Sequence, residues 1–217
     1  EACRQAIRHD ATPAVLRLYD PIESARSHSG DGTESIVLVL DEGHQQIVDA
    51  TLATVDEFFT ACGATKSSDD RVAHWLEHRN DTTALQGLTK KGFVIDTMEV
   101  TVPWSKLDEV YVAVREAVLA TPHAVSASAH LSHSYLDGAC LYFSLAARPP
   151  RGSSLDEIDT THRELWDAAQ RAALRAGANL SHHHGIGLNR SRYMQEALGS
   201  SFDTLQHLKD ALDPAGI

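Results

Sequence analysis

The order in which hydrophobic periods follow one another between Phe93 and His182 restricts this chain more than any single motif does. Phe93–Val102 alternates as a strand, and Pro103 sits outside the element that follows. Ser105 and Asp108 form a capping-box pattern before a helix whose stripe is Leu107, Val110, Val114 and Val118. His123–His133 and Ala139–Ala147 alternate again, and the Leu136-Asp137-Gly138 turn folds them into a hairpin. A second capped helix opens at Ser154 with Glu157 three residues on, carries Ile158, Leu165, Ala169 and Ala172, and stops at Gly177. Ala178–His182 is expected as the last strand. The succession β-α-β-β-α-β predicts an α+β fold of the ferredoxin-like, split βαβ kind: an antiparallel sheet covered by two helices.

The preceding region reads as an extension of that sheet. Ala14–Tyr19 and Ser35–Asp41 are strand-like, the second as a continuous apolar run that suggests burial on both faces. A helix from about Gln46 to Cys62 repeats Ile47, Thr51, Val55 and Phe58 and ends at Gly63. Ala14–Ala64, strand-strand-helix, is therefore a partial second copy. Glu23–Glu34 is polar and rich in Gly and Ser, so a mobile loop is expected there. Helical spacing also marks Ala2–Arg8, Asp69–Arg79, Asp81–Lys91, Arg190–Leu198 and Phe202–Leu212.

Charge and cysteine usage narrow the partners. Among 217 residues, 19 Lys and Arg against 30 Asp and Glu leave a formal charge of −11, which argues against nucleic acid or an anionic membrane surface. No apolar run approaches the roughly 18 residues of a transmembrane helix. Cys3, Cys62 and Cys140 lie far apart without C-x-x-C spacing, so neither a disulfide framework nor a thiolate metal site is expected, and a cytoplasmic location fits. The chain opens at Glu1 without an initiator Met, so a fragment of a longer protein is expected.

Ser181–Arg192, S-H-H-H-G-I-G-L-N-R-S-R, carries the chemistry. Three adjacent imidazoles followed by two glycines are hard to explain by packing. In an extended segment His182 and His184 would share one face and His183 the other. Tyr142, on the second hairpin strand, is the expected neighbour of this triplet. Phenol and imidazole together point to proton transfer. A metal bound by His182 and His184 with His130 or His133 is the weaker reading, because adjacent histidines do not easily face one ion and no carboxylate is spaced to join them. No metal is therefore assigned. His74 and His78, one turn apart, have no third ligand nearby and read as surface residues. Arg17 interrupts an apolar strand, and is either a solvent-facing alternate or a functional cation.

H-S-Y-L-D-G-A-C-L-Y-F, S-H-H-H-G-I-G-L-N-R and A-L-D-P-A-G-I together resemble the C-terminal, substrate-binding half of FAD-linked oxidases of the vanillyl-alcohol oxidase type, nearest the alkylglycerone-phosphate synthase branch. The resemblance spans nearly the whole chain, adding A-V-L-R-L-Y-D around Arg17, L-D-E-G around Glu42 and D-T-M-E-V-T-V-P-W before Ser105. It implies a flavoenzyme that exchanges the acyl group of acyl-dihydroxyacetone phosphate for a fatty alcohol through a flavin N5 adduct, in ether lipid synthesis. It further implies Tyr142 as proton donor and acceptor, His182, His183 and His184 as an essential triplet, and Arg17 as an arginine needed for activity. Leu40, Glu42 and Thr97 fall at active-site positions, and Arg190 is placed with the substrate-binding residues.

Two departures qualify this resemblance. Leu85 stands where family members carry a substrate-binding arginine, and Lys90 and Lys91 are too far along to reproduce a bidentate grip. The related 2-hydroxy-acid dehydrogenases hold a metal through histidines and a glutamate, whereas Tyr142 and His183 stand at two of those positions here. The resemblance implies that FAD is held mainly by an N-terminal domain outside this chain, that the substrate is lipid-like or small, and that a homodimer is one open assembly. An FAD-dependent oxidoreductase of another alcohol or 2-hydroxy acid, and a free-standing ligand- or metal-binding module, stand as the alternatives.

Overall fold

The computed structural model describes residues 1–217 and contains one five-stranded antiparallel sheet. Its strands are β1 (Val15–Tyr19), β2 (Ile36–Leu40), β3 (Val94–Pro103), β4 (Ala124–Ser134) and β5 (Gly138–Ala147), in the order β2-β1-β4-β5-β3. The helices are α1 (Ala2–Arg8), α2 (Pro21–Ser27), α3 (Gln45–Ala61), α4 (Asp70–His78), α5 (Thr83–Lys90), α6 (Leu107–Leu119), α7 (Leu155–Ala176), α8 (Gly187–Ser191), α9 (Met194–Leu198) and α10 (Ser201–Leu212). The arrangement is the expected α+β one. β5 lies between β3 and β4, as a split βαβ unit requires, and the β1-β2 pair extends the sheet beyond β4.

Alternation divides the sheet into two unlike faces. Met98, Val100 and Val102 of β3, Phe143 and Leu145 of β5, and Ala127 and Ala129 of β4 pack against Val110, Val114 and Val118 of α6 and Leu165, Trp166, Ala169 and Ala173 of α7. The alanines let α7 approach the strands closely. Leu16 and Leu131 continue this covered face under α1 and α3, with Ile7, Val39 and Phe59. α7 is capped as its sequence requires: the Ser154 hydroxyl accepts from the Glu157 amide, the Glu157 carboxylate accepts from the Ser154 amide, and Gly177 ends the helix at φ 99°.

Four expectations change. Ala178–His182 is no strand: one backbone bond, from the Asn179 amide to the Thr101 carbonyl, ties it to the free edge of β3. The Asn179 side-chain carbonyl takes the Thr101 amide in place of a main-chain acceptor, and farther along the Glu99 carboxylate accepts the His182 and His184 amides. Side-chain oxygens thus replace a ladder. Glu23–Glu34 is not wholly loop, because Asp20 caps and Pro21 opens α2, whose Glu23 and Ser24 are buried. β2 is an edge strand with only Leu38 buried, not a strand buried on both faces. Ser105 makes no cap; it lies in a 3₁₀ turn, Trp104–Lys106, that leads into α6.

Candidate active site

The second face of the sheet is lined by polar side chains at alternate positions: Thr97 and Glu99 from β3, Tyr142 and Ser144 from β5, Ser128 and His130 from β4, Arg17 and Tyr19 from β1. α2 and α4 close one end of it. A β-bulge at Ser132 shifts the register between Leu131 and His133, so His133 pairs with Cys140 and joins this face instead of the covered one.

Tyr142 stands near the middle. Its hydroxyl donates to Thr97 Oγ1 at 3.2 Å, the His130 ring stacks on it at 5.0 Å and 19°, and the His184 and His183 rings lie 5.3 and 6.2 Å away. The adjacency of Tyr142 to the histidine triplet is thus present in the structure. Contrary to simple alternation, both His183 and His184 approach Tyr142, because the segment turns instead of extending.

Glu99 makes that turn. Fully buried, its carboxylate accepts from the Ser181 hydroxyl at 2.6 Å, the His184 amide at 2.9 Å and the His182 amide, and faces Arg190 Nη2 at 3.4 Å. Burial alone would raise its carboxyl; these donors outweigh burial and hold it below the usual carboxylate range. Arg190 is buried as well: Nε donates to the Leu180 carbonyl, Nη1 to Gly185 and Nη2 to Glu99, with Trp166 beneath at 5.0 Å. Its guanidinium is committed to the loop that carries the histidines and to Glu99.

A second buried carboxylate organises the opposite side. Glu23 accepts from Ser144 at 2.7 Å, Ser128 at 3.2 Å and Arg26 at 3.0 Å, and its other oxygen meets His130 Nδ1 at 2.7 Å. Arg17 Nη1 lies 3.4 Å from His130 Nε2. Guanidinium only donates, so Nε2 accepts and Nδ1 carries the proton shared with Glu23. Burial opposes the charged form of Glu23, but the His130 and Ser144 hydrogen bonds keep its carboxyl below the ordinary value. Arg17 also lies 5.1 Å over Trp75, has no carboxylate partner and is part-buried, so it is not a plain solvent-facing alternate.

Three imidazoles are held toward the neutral form by burial. Burial, then the neighbouring His182 and His183, brings His133 down to about 4, and burial lowers His183. Burial likewise brings His28 down to about 4; its ring nitrogens meet no partner, and it lies 4.1 Å from the Tyr19 ring, tilted by 58°. Neutral rings beside a phenol are suited to accept protons.

Of the other expected residues, Thr97 touches Tyr142, Leu40 ends β2, and Glu42 lies exposed just beyond it without a side-chain partner. Leu85 is 43% exposed on α5. Glu23, Glu99 and the role of His130 were missed. The available signal was an acidic residue between Met98 and Val100 in a strand, and Asp20-Pro21 as a helix start.

This is an α+β domain built on one antiparallel sheet, with one face apolar and covered by helices and the other face polar. The chain belongs to the FAD linked oxidases through their C-terminal domain, which matches residues 1–217. It is 29% identical to the uncharacterized FAD-linked oxidoreductase YgcU of Escherichia coli (strain K12), over 94% of this chain and 45% of that protein. It is 22% identical to alkyldihydroxyacetonephosphate synthase of Dictyostelium discoideum, over 100% of this chain and 40% of that protein. A solved alkyldihydroxyacetonephosphate synthase shares the fold at TM-score 0.68 and 18% identity, over 98% of this chain and 40% of that one. The chain thus spans less than half the length of the curated relatives it matches.

The family's cofactor is FAD, bound mainly by its N-terminal domain. The residues present fit one side of that group. They include no Gly-rich phosphate cradle at a strand–helix joint, but they set phenol, imidazole and guanidinium groups on one face, with the unpartnered nitrogens of His28 beneath. Such a set suits the polar edge of a flat ring and its substrate, not a pyrophosphate.

Proposed function

We propose that this domain forms the substrate-facing wall of a flavoenzyme, and that its polar sheet face closes over the redox ring held by the FAD-binding segment of the same protein. FAD, when bound, supplies the electron-accepting and electrophilic ring. Tyr142 then donates or accepts the proton at the reacting carbon or oxygen, with Thr97 fixing its hydroxyl and His183 and His184 taking up or returning that proton. Arg17, free of carboxylates, holds an anionic group of the substrate. Glu99 and Arg190 keep the triplet in place, and Glu23 with His130 keeps Arg17 in place. The three cysteines are unpaired, which supports a reducing, cytoplasmic location, and no helix is long and apolar enough to cross a membrane.

The reaction best supported is the exchange performed by alkyldihydroxyacetonephosphate synthases, an acyl group for a fatty alcohol on a phosphate-bearing ketone. The observation that carries it is the convergence of Tyr142, the histidine triplet and an unpaired Arg17 on one face. The test is to incubate the full-length flavoprotein with acyl-dihydroxyacetone phosphate and labelled fatty alcohol. Ether product lost in Tyr142→Phe is expected; no product with flavin fully loaded overturns the reading. A second reading, oxidation of another alcohol or 2-hydroxy acid, is favoured by Leu85, which puts no cation where the synthase branch has one. Anaerobic bleaching of the flavin by an alcohol or hydroxy acid, without ether formation, would establish it.

A further inference from the structure

Cys140 and His133 take no part in the chemistry above, yet they lie against it. Their ligand atoms and those of His182 and His183 all fall within 4.8 Å of one another. We propose that His133, Cys140, His182 and His183 form a binding site for a single Zn²⁺-class cation, and that filling it withdraws His183 from proton transfer.

Four observations support the site. First, the spacing is nearly that of a coordination shell. Zinc–nitrogen and zinc–sulfur bonds of about 2.0–2.3 Å set tetrahedral ligands roughly 3.3–3.8 Å apart, so side-chain rotations of about 1 Å close it. Second, two separate features bring the ligands together: the bulge at Ser132 turns His133 toward Cys140, and Glu99 holds the backbone of His182 in its turn. Third, His182 Nδ1 and His183 Nδ1 are 2.8 Å apart, so one of them carries a proton toward the other. As a cation arrives that proton moves to Nε2 of the same ring, both Nδ1 lone pairs turn to the ion, and the imidazoles release no proton. Fourth, outer partners orient two of the rings: the Tyr135 hydroxyl is 2.7 Å from His182 Nε2, and the Ser132 hydroxyl 3.0 Å from His133 Nδ1. Ligating histidines are held through their second nitrogen in this way.

The donor chemistry selects the ion. Three imidazoles and a thiolate, with no carboxylate among them, favour Zn²⁺, Cd²⁺ or Cu⁺ over Mg²⁺ or Ca²⁺. His130 and His184 stand outside the set, so this is not the grouping expected from sequence spacing. Cys140 is buried, and a thiol binds zinc only as thiolate: the sulfur–zinc bond forms, the S–H bond breaks, and the proton passes to solvent. Binding therefore tightens as pH rises. The inhibitory half of the proposal rests on the proton-transfer reading of the triplet; the binding half does not.

The experiment uses full-length protein stripped with chelator and titrated with Zn²⁺. Calorimetry in buffers of different ionisation enthalpy, with elemental analysis after gel filtration, is expected to give one zinc per chain and one proton released. Cys140→Ser and His133→Ala should each weaken binding at least about tenfold, while the double variant His74→Ala/His78→Ala, on a distant stacked pair, keeps wild-type affinity. Co²⁺ is expected to give a thiolate charge-transfer band absent from Cys140→Ser. Melting curves show whether the variants fold, and the Co²⁺ spectrum of the unmodified protein decides the thiolate ligand if they do not. Wild-type affinity in folded Cys140→Ser, a cobalt complex without the thiolate band, or no retained zinc overturns the site. Zinc that binds at the site without slowing turnover overturns only its inhibitory role.

Discussion

The two faces of one sheet solve burial in opposite ways. On the covered face, Met98, Val100, Phe143 and Leu145 meet α6 and α7 in apolar contact, with the buried Gln170 amide of α7 the one unpaired polar group on that helix. On the other face, one residue along each strand, Thr97, Glu99, Tyr142 and Ser144 are brought together around two buried carboxylates. Apolar packing is non-directional and tolerates compensation. A buried carboxylate instead requires each of its donors, since losing one leaves a charge short of partners. Adjacent residues therefore divide the work: one of each pair holds the fold and the next holds the chemistry.

Phe143 and Tyr142 provide the sharpest separation. Phe143→Ala leaves a cavity in the covered core and is expected to cost about 3–5 kcal/mol by denaturant unfolding. Tyr142→Phe removes one hydrogen bond, to Thr97, and should cost no more than about 1 kcal/mol, while lowering turnover of the full-length flavoprotein by about 10²–10⁴. Equal stability losses in the two variants would break the division between faces.

Glu99→Gln should have the next largest effect on stability. It keeps the shape but leaves buried Arg190 without its counter-charge and weakens acceptance from three donors, at a cost of about 2–3 kcal/mol. Proteolysis in the 182–187 segment should rise with it. The pH dependence follows from the same carboxylate. Its folded value lies below the ordinary 4.5, so the unfolded chain binds the proton first. The stabilisation is present above about pH 4.5 and is lost as pH falls through the folded value. Urea midpoints measured from pH 6 to pH 3 should fall less steeply in Glu99→Gln; parallel curves would show that Glu99 is not what acid titrates.

These two carboxylates also mark where the sequence became hard to read. Elements set by local rules were legible: the Ser154 cap, Gly177 at the end of α7 and the turn before Gly138 all stand where periodicity put them. The triplet and Tyr142 were legible as residue types, and the hairpin order put them side by side. What failed depended on partners distant in the chain. Ala178–His182 has a strand-like pattern, but Glu99, more than 80 residues earlier, takes its amides. Glu23 meets His130 across 107 positions, and the Gly/Ser-rich composition after α2 hid the Asp20-Pro21 helix start. Cys140 was set aside for lack of a C-x-x-C partner, whereas the bulge at Ser132 gives it a histidine from the next strand.

The smallest expected change in stability gives the finest test of the polar face. Leu85 is exposed on α5, which packs beside β3, so Leu85→Arg should alter stability by no more than about 0.5 kcal/mol. Its effect on catalysis depends on what Arg17 faces. If a phosphate-bearing substrate extends across the face to β3, a guanidinium on α5 adds charge-assisted bonds, and KM should fall by about tenfold with kcat little changed. If the substrate is a neutral alcohol, the new cation has nothing to hold and KM stays where it was. A lower KM for the phosphate-bearing ketone alone would tie the polar face to exchange chemistry. An unchanged KM for it, with flavin bleaching by alcohols intact, would give that face to oxidation and leave Arg17 with a carboxylate to bind.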